Sequence, residues 1–258
     1  MKIALVQLAV REKSLEYNRA HGLELAREAA KNHDLIVLPE VWTTGYSLGK
    51  INEIAETIDG PSITALQEIA RENSCTILAG SIAMKHDGKT FNTSVAINKA
   101  GEIVNLYDKV HLFGMFNEEK FFAPGNNFNV FELDGLTCGS TICYDLRFPE
   151  LYRHLAIGGA KIIFCPAEWP SARGDIWDLL CKARAAENHL FLIAVNCAGI
   201  FKGAPFYGHS KVIDPMGKVL VEGSDQEEIL SVEIDLEEIN KVRSRLNALD
   251  DVRKELIV

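Results

Sequence analysis

The sequence predicts an α/β fold built as a two-sheet sandwich with helices outside. Short β-branched runs alternate with segments of helical periodicity, which is the pattern of strands covered by helices. The two halves share an outline, each a βαβ-type opening followed by further strands. No stretch of linker composition divides the 258 residues, so one domain over residues 1–258 is expected. With 47% hydrophobic residues the chain can bury a substantial core, and its 19 Gly and 8 Pro exclude collagen-like and disordered classes.

Residues 2–8 and 34–38 read as strands on either side of a helix from about 14 to 31, in which Leu15, Leu23, Ala26 and Ala30 share a face. Pro61-Ser62 starts a second helix, with Ile63, Leu66, Ile69 and Ala70 at helical spacing, and Asn73-Ser74 separates it from a strand at 75–82. Turn signals at Asp87-Gly88, Ala100-Gly101 and Asp134-Gly135 divide alternating segments at about 91–98, 103–107, 129–133 and 136–142, which read as one β-meander. Between Asp108 and Gly125 the hydrophobic period disappears, and a long ordered loop is expected there, of a length that is usually functional. The pattern resumes with a helix at about 148–158, a buried strand at 161–165, a helix at 174–188 and a strand at 190–196. Strands at 209–213, 218–222 and 228–234 then precede a charged C-terminal helix and a tail over 246–258.

Composition removes several function classes. A net charge of −9 opposes a nucleic-acid partner, because phosphate binding needs clustered Lys and Arg. The longest apolar runs, 162–167 and 190–195, are far short of the roughly 20 residues of a membrane helix, so no membrane partner is expected. The opening apolar run is interrupted by Gln7 and Arg11 before a signal-peptide core develops, which reads as a first strand and a cytoplasmic protein. Six cysteines form no C-x-x-C pair and look like reduced thiols. Seven dispersed histidines show no metal spacing, and neither a metal nor a cofactor is expected. Gly158-Gly159-Ala160-Lys161 lacks the spacing of a phosphate loop and reads as a helix C-cap.

Three segments share one layout, an apolar strand ending abruptly in an ionisable or nucleophilic residue: Leu35 to Glu40, the strand through Tyr107 followed by Asp108-Lys109, and Ser140 to Cys143. Strand ends are where reactive groups collect in α/β sheets, beside low-dielectric walls that move pKa values. Cys143 opens a strand-to-helix junction shaped like a nucleophile elbow without the G-x-S-x-G sequence, and a helix N-terminus there would lower its thiol pKa. Taken singly, Cys143 could be a core cysteine, Glu40 a loop cap, Lys109 a solvated lysine and His111 a packed side chain. Their joint occurrence changes the odds.

In four places the chain resembles the nitrilase superfamily of carbon-nitrogen hydrolases: Val37 to Glu40, Tyr107 to Phe113, Ile142 to Glu150 and Ala183 to Asn188, in family order. The resemblance implies a four-layer α-β-β-α sandwich, assembled as a homodimer. It places the family's catalytic Glu, Lys and Cys on Glu40, Lys109 and Cys143, and a further glutamate on Glu118, with Glu119 adjacent. In that scheme Cys143 attacks a small amide, Glu40 moves the proton on a carboxyl whose pKa burial has raised, and Lys109 with the Tyr144 backbone N–H stabilises the oxyanion.

Segments Leu38 to Tyr46, and Ala167 to Pro170 with Arg173, look most like the ω-amidase branch, which includes bacterial 2-oxoglutaramate amidases. Trp42, Tyr46, Phe113, Arg147, Trp169 and Arg173 are the expected substrate-binding residues. Arg147 is first read as a partner of Asp145 or Glu150 at the helix start, whereas Arg173 has no sequence neighbour to pair with and suits a substrate carboxylate. N-carbamoyl hydrolase, aliphatic amidase and nitrilase activities share the core residues and stay open, as does a scaffold that keeps the fold without catalysis. The tail, ending Leu-Ile-Val, could strap its own domain, but the resemblance favours a tail reaching the other subunit.

Overall fold

The computed structural model describes residues 1–12, 14–253 and 255. In chain order the strands are β1 (Lys2–Gln7), β2 (Leu35–Val37), β3 (Thr76–His86), β4 (Lys89–Ile97), β5 (Ile103–Asp108), β6 (Phe131–Leu133) and β7 (Leu136–Ser140). They continue with β8 (Ile162–Ala167), β9 (Phe191–Asn196), β10 (Ile200–Phe201), β11 (Ala204–Pro205), β12 (Lys211–Ile213), β13 (Val219–Glu222) and β14 (Glu228–Glu233). The helices are α1 (Leu15–Ala30), α2 (Ile51–Ile54), α3 (Pro61–Asn73), α4 (Pro149–Ile157), α5 (Gly174–Asn188) and α6 (Glu237–Arg245).

Two six-stranded sheets form, in the orders β14-β1-β2-β3-β4-β5 and β13-β12-β9-β8-β7-β6, with β10 and β11 as a separate hairpin. The expected likeness of the two halves is present in their topology. Each sheet has a parallel triple, β1-β2-β3 in one and β7-β8-β9 in the other. Each triple continues into two antiparallel strands, β4 and β5 or β12 and β13. Each is closed on its other side by one antiparallel strand, β14 or β6.

Side-chain alternation makes the layers. In β1, Ile3 and Leu5 face one way and join Phe164, Phe191, Ile193 and Val195 in a core between the sheets. Ala4 and Val6 face the other way and pack with Leu23, Ala26, Ile63 and Leu66 of α1 and α3. On the second sheet Ile163, Cys165, Leu192 and Ala194 meet Leu151, Leu155, Trp177 and Cys181 of α4 and α5. The result is the four-layer α-β-β-α sandwich. Its central strands are apolar on both faces because both faces are covered.

The helix signals read from the sequence act as expected. Pro61 occupies the first position of α3, where its missing N–H costs nothing, and Ser74 ends the helix in the left-handed region at φ 51°. The single meander does not form. β3, β4 and β5 make one, but β6 and β7 belong to the other sheet. Alternation reports that a strand has one buried face, and it cannot say in which sheet. The 22 residues between Asp108 and Phe131 carry the chain across.

A bulge in β3 shapes the end of β2. Register slips between Leu78 and Ser81, and Gly80 adopts φ +63°, where a Cβ would collide with the Pro39 carbonyl oxygen. Around it, Leu38 N–H donates to Leu78 O at 3.1 Å, Ser81 N–H to Pro39 O at 3.0 Å and Val41 N–H to Ser81 Oγ at 3.0 Å. The last strand turns before Glu40 are therefore held from the side.

At the C-terminal end, Ala248 N–H reaches His189 Nε2 at 3.4 Å, and Leu249 packs on the α4–α5 layer. This part of the tail lies on its own domain. Its Leu-Ile-Val end, 256–258, falls outside the described residues.

Gly80→Ala combines a disfavoured φ with a backbone collision and should cost about 2 kcal/mol or more in urea unfolding. Gly49→Ala, at an exposed position with open space, should stay within about 0.5 kcal/mol. Equal midpoints for the two variants would show that the bulge is not under steric constraint.

Candidate active site

Three charged side chains meet in the interior where the sheets' strand ends converge. Glu40 lies three residues beyond β2, Lys109 directly follows β5, and Glu118 lies on a 3-10 turn (Glu118–Lys120) in the loop after it. Lys109 Nζ is 2.8 Å from Glu40 Oε1 and 3.0 Å from Glu118 Oε1, and all three side chains have no solvent exposure. Burial alone pushes the Lys109 ammonium down, but the Glu118 and Glu40 carboxylates outweigh it and hold the pKa well above its usual value. Lys109 is a fixed cation.

Every carboxylate oxygen in the cluster is occupied. Glu40 Oε1 also accepts Asn92 Nδ2 at 2.8 Å and the Tyr46 hydroxyl at 3.1 Å, and Oε2 accepts the Glu168 backbone N–H at 2.8 Å. Glu118 accepts the Tyr46 hydroxyl, and its Oε2 accepts the Phe113 N–H at 2.8 Å, which ties down the loop that carries it. Glu118, not the exposed Glu119, is the glutamate on Lys109.

Cys143 begins a 3-10 turn (Cys143–Arg147) three residues beyond the end of β7, at φ +46°, a conformation that non-glycine residues adopt at a cost of about 1–3 kcal/mol. The elbow shape expected from the sequence is there. Asp145 braces it: Oδ2 accepts Ile142 N–H at 2.9 Å and the Tyr107 hydroxyl at 2.7 Å, while Oδ1 accepts His111 N–H at 3.0 Å and lies 2.8 Å from His111 Nδ1. His111 also stacks on Phe148, a packed histidine as expected. Arg184 Nε donates to Leu146 O at 3.0 Å, which gives the Ala183 to Asn188 motif its place in the site. The expected lowering of the Cys143 pKa is reversed: burial, then the neighbouring Glu40 carboxylate, push the thiol well above its usual value, against a weaker opposing pull from Lys109. A five-residue 3-10 turn supplies little dipole to offset them.

Cys143 opens into a cleft lined by Tyr46, Phe113, Phe116, Tyr144, Arg147, Glu168, Trp169, Pro170 and Arg173. Tyr144 is second in the turn, so its N–H is a first-turn group with no intrahelical acceptor. Arg147 lies over the Trp169 ring at 5.2 Å, and Arg173 lies over Phe113 at 5.8 Å with Nη2 3.0 Å from Met115 Sδ. Neither guanidinium has a carboxylate ion pair among the described residues. The expected pairing of Arg147 with Asp145 or Glu150 therefore does not form, because Asp145 is already saturated by four other contacts.

Trp42 is likewise not where it was expected. Its indole N–H donates to Ala79 O at 2.8 Å, and its fully buried ring fills the space a Cβ on Gly22 would need, away from the cleft. Tyr46, from the same segment, supplies the cleft contact instead.

Sequence reasoning missed Glu168, although the same signal could have found it: β8 is an apolar strand that ends in an ionisable residue. Its side chain is 1% exposed; Oε1 accepts the Cys197 S–H at 3.7 Å and Oε2 has no hydrogen-bond partner. Burial, then the Glu40 carboxylate, push its pKa well above the carboxylate range. Asn92 and Asn196 were also missed. Asn196, ending β9, accepts Trp169 N–H at 2.6 Å and donates to Trp169 O at 3.3 Å, and so sets the cleft wall. Buried amides in strands carry no motif.

A model of the carbon-nitrogen hydrolase family matches residues 2–244. The chain belongs to the carbon-nitrogen hydrolases. This hydrolase is 42% identical over 228 residues to the 2-oxoglutaramate amidase of Bacillus subtilis, covering 88% of each chain. It is 32% identical over 265 residues to the omega-amidase NIT2 of Mus musculus, covering 99% of the hydrolase and 96% of that protein. Among solved structures, a CN-hydrolase superfamily protein of Xanthomonas campestris, with an arsenic adduct in its active site, superposes with a TM-score of 0.91 at 32% identity over 98% of this chain and 97% of that one. Nit3 of Saccharomyces cerevisiae gives 0.88 at 30% identity over 95% and 94%. Among the described residues of the hydrolase no helix is long and apolar enough to cross a membrane.

The raised pKa of Glu168 fixes the sign of a pH effect. The folded state keeps a proton that the unfolded state releases above about 4.5, so stability falls as pH rises from there through the raised folded value. Glu168→Gln should remove this slope, gaining thermal stability over wild type at pH 8 and losing that advantage towards pH 4.5. Parallel melting curves across that range would mean that Glu168 is ionised in the fold.

Proposed function

We propose that the hydrolase is an ω-amidase, which cleaves the amide of a small carboxylate-bearing substrate, with 2-oxoglutaramate as the type, to the acid and ammonia. The observation that carries this reading is the pair Arg147 and Arg173, guanidiniums without carboxylate partners on the wall of the cleft that Cys143 opens into. A partly buried guanidinium without an ion-pair partner favours an anion, and its fork matches a carboxylate. The names of the Bacillus and mouse relatives support the same substrate class.

The geometry supports the following chemistry. Glu40 takes the Cys143 proton as Sγ bonds to the amide carbon, which suits a thiol that burial keeps protonated at rest. Lys109 Nζ and the Tyr144 N–H hold the oxygen anion, each such donor being worth about 2.7–4 kcal/mol in comparable sites. The C–N bond then breaks as Glu40 returns the proton to nitrogen, and ammonia leaves. Water, deprotonated by Glu40, adds to the thioester, the C–S bond breaks, and the thiolate recovers its proton. Glu118 keeps Lys109 in place and anchors the loop bearing Phe113. Phe113, Tyr46 and Trp169 flank the substrate chain.

We further assign the protein to the cytoplasm, since all six cysteines are unpaired and buried, and to a homodimer. Leu179 on α5 and Leu246 after α6 are 62% and 65% exposed, apolar surface that would gain from a partner.

Cys143→Ser should fold but lose nearly all turnover, and rapid quenching of wild type should reveal a substrate-sized mass adduct on the peptide holding Cys143; an adduct on another cysteine overturns the mechanism. Arg173→Ala should reduce kcat/KM for a dicarboxylate monoamide by roughly thirtyfold or more, but for a small neutral amide by less than about threefold. Equal losses would make Arg173 structural. Sedimentation at micromolar concentration should give a dimer, and a monomer would refute the assembly.

A further inference from the structure

The two parallel triples of the fold end in matching acids. Glu40 follows β2, the middle strand of the first triple, and Glu168 follows β8, the middle strand of the second. The two meet across the sandwich, the Glu168 backbone N–H donating to Glu40 Oε2 at 2.8 Å. Their side chains differ in one respect. Both oxygens of Glu40 are engaged, by Lys109, Asn92, Tyr46 and the Glu168 N–H. Glu168 has one oxygen on Cys197 and leaves Oε2 buried, unpartnered and on the wall of the Cys143 cleft.

A buried oxygen without a donor is costly, so the site gains when a ligand supplies one. A primary amide carries two N–H donors on the atom that leaves. Its carbonyl oxygen is taken by Lys109 and the Tyr144 N–H, and Glu40 has no free oxygen for the amide N–H groups until Lys109 or Asn92 is displaced. We propose that Oε2 of Glu168 accepts an N–H of the substrate's primary amide, making Glu168 the residue that selects amides over esters of the same acid. This assignment rests on the amidase reading above and deepens it.

An uncharged carboxyl suits the task physically. Its oxygen accepts an N–H as well as a backbone carbonyl does, yet it does not hold an ammonium product as a carboxylate would. Burial and the Glu40 charge push its pKa towards that form. Selectivity then comes from the polar group itself: a site built to pair an N–H leaves its acceptor stranded when the ligand lacks one.

The test compares succinamate with monomethyl succinate, an amide and an ester sharing one acyl chain, as kcat/KM for wild type and for Glu168→Leu. The amide-to-ester ratio should fall at least tenfold in the variant, with the ester rate changed less than the amide rate. Glu168→Asp, which keeps the acid but withdraws Oε2 by one methylene, should show the same selective fall and serves as the readout if the leucine variant yields no soluble protein. Equal losses on both substrates in either variant overturn the assignment and leave the amidase reading standing. A wild-type enzyme that hydrolyses neither compound overturns both.

Discussion

The structure is organised around one buried ion cluster, Lys109 between Glu40 and Glu118, with no solvent on any of the three side chains. Removing such charges from water costs several kcal/mol per ion, and mutual attraction offsets this only when geometry is tight and the remaining hydrogen-bonding capacity is filled. Asn92 on β4, Tyr46 beyond β2, the Phe113 N–H in the loop and the Glu168 N–H after β8 fill it. Two sheets and two loops therefore converge on one lysine. A fold with fewer fixed strand ends could not hold it.

The same frame supports backbone strain where the chemistry is. Val41, a β-branched residue at φ 32°, follows Glu40 directly, and Cys143 itself sits at φ 46°. Each departs from what its residue type prefers, and each is flanked by bonds that over-determine it: Ser81 on the Val41 N–H, and Asp145 with Arg184 on the turn after Cys143. Cys143 thereby lies at the edge of the α4–α5 layer and also lines the cleft. Burial and the Glu40 carboxylate push its pKa up, so in the proposed mechanism Glu40 serves as the base for a protonated thiol.

Much of this was legible in the sequence. Local signals placed α3 at Pro61 and α5 at Gly174–Asn188 as the structure has them, since caps and helical periodicity are properties of neighbouring residues. Strand-end patterning, with the resemblance it completes, picked out Glu40, Lys109 and Cys143 because a rigid strand terminating in a reactive group leaves a mark in the order of residues. Glu168 bears that mark too. What separates it from Glu40 is a difference in partners that only the tertiary structure shows.

By itself the sequence determined the long helices and the strands of the two six-stranded sheets, the two-halves outline and the Glu40, Lys109 and Cys143 strand-end groups, because each depends on periodicity or on residue type within a short span; the short α2 and the β10–β11 hairpin leave no such pattern. Tertiary structure alone decided the rest. It divided the apparent meander between two sheets, since alternation does not encode which sheet a strand joins. It sent Trp42 to the space above Gly22, and it left Arg147 on the cleft wall because Asp145 was claimed by Tyr107, His111 and Ile142. It also turned the Cys143 pKa upward rather than downward. That sign is set by the balance of burial, Glu40 and Lys109, three contributions brought together from segments up to about a hundred residues apart.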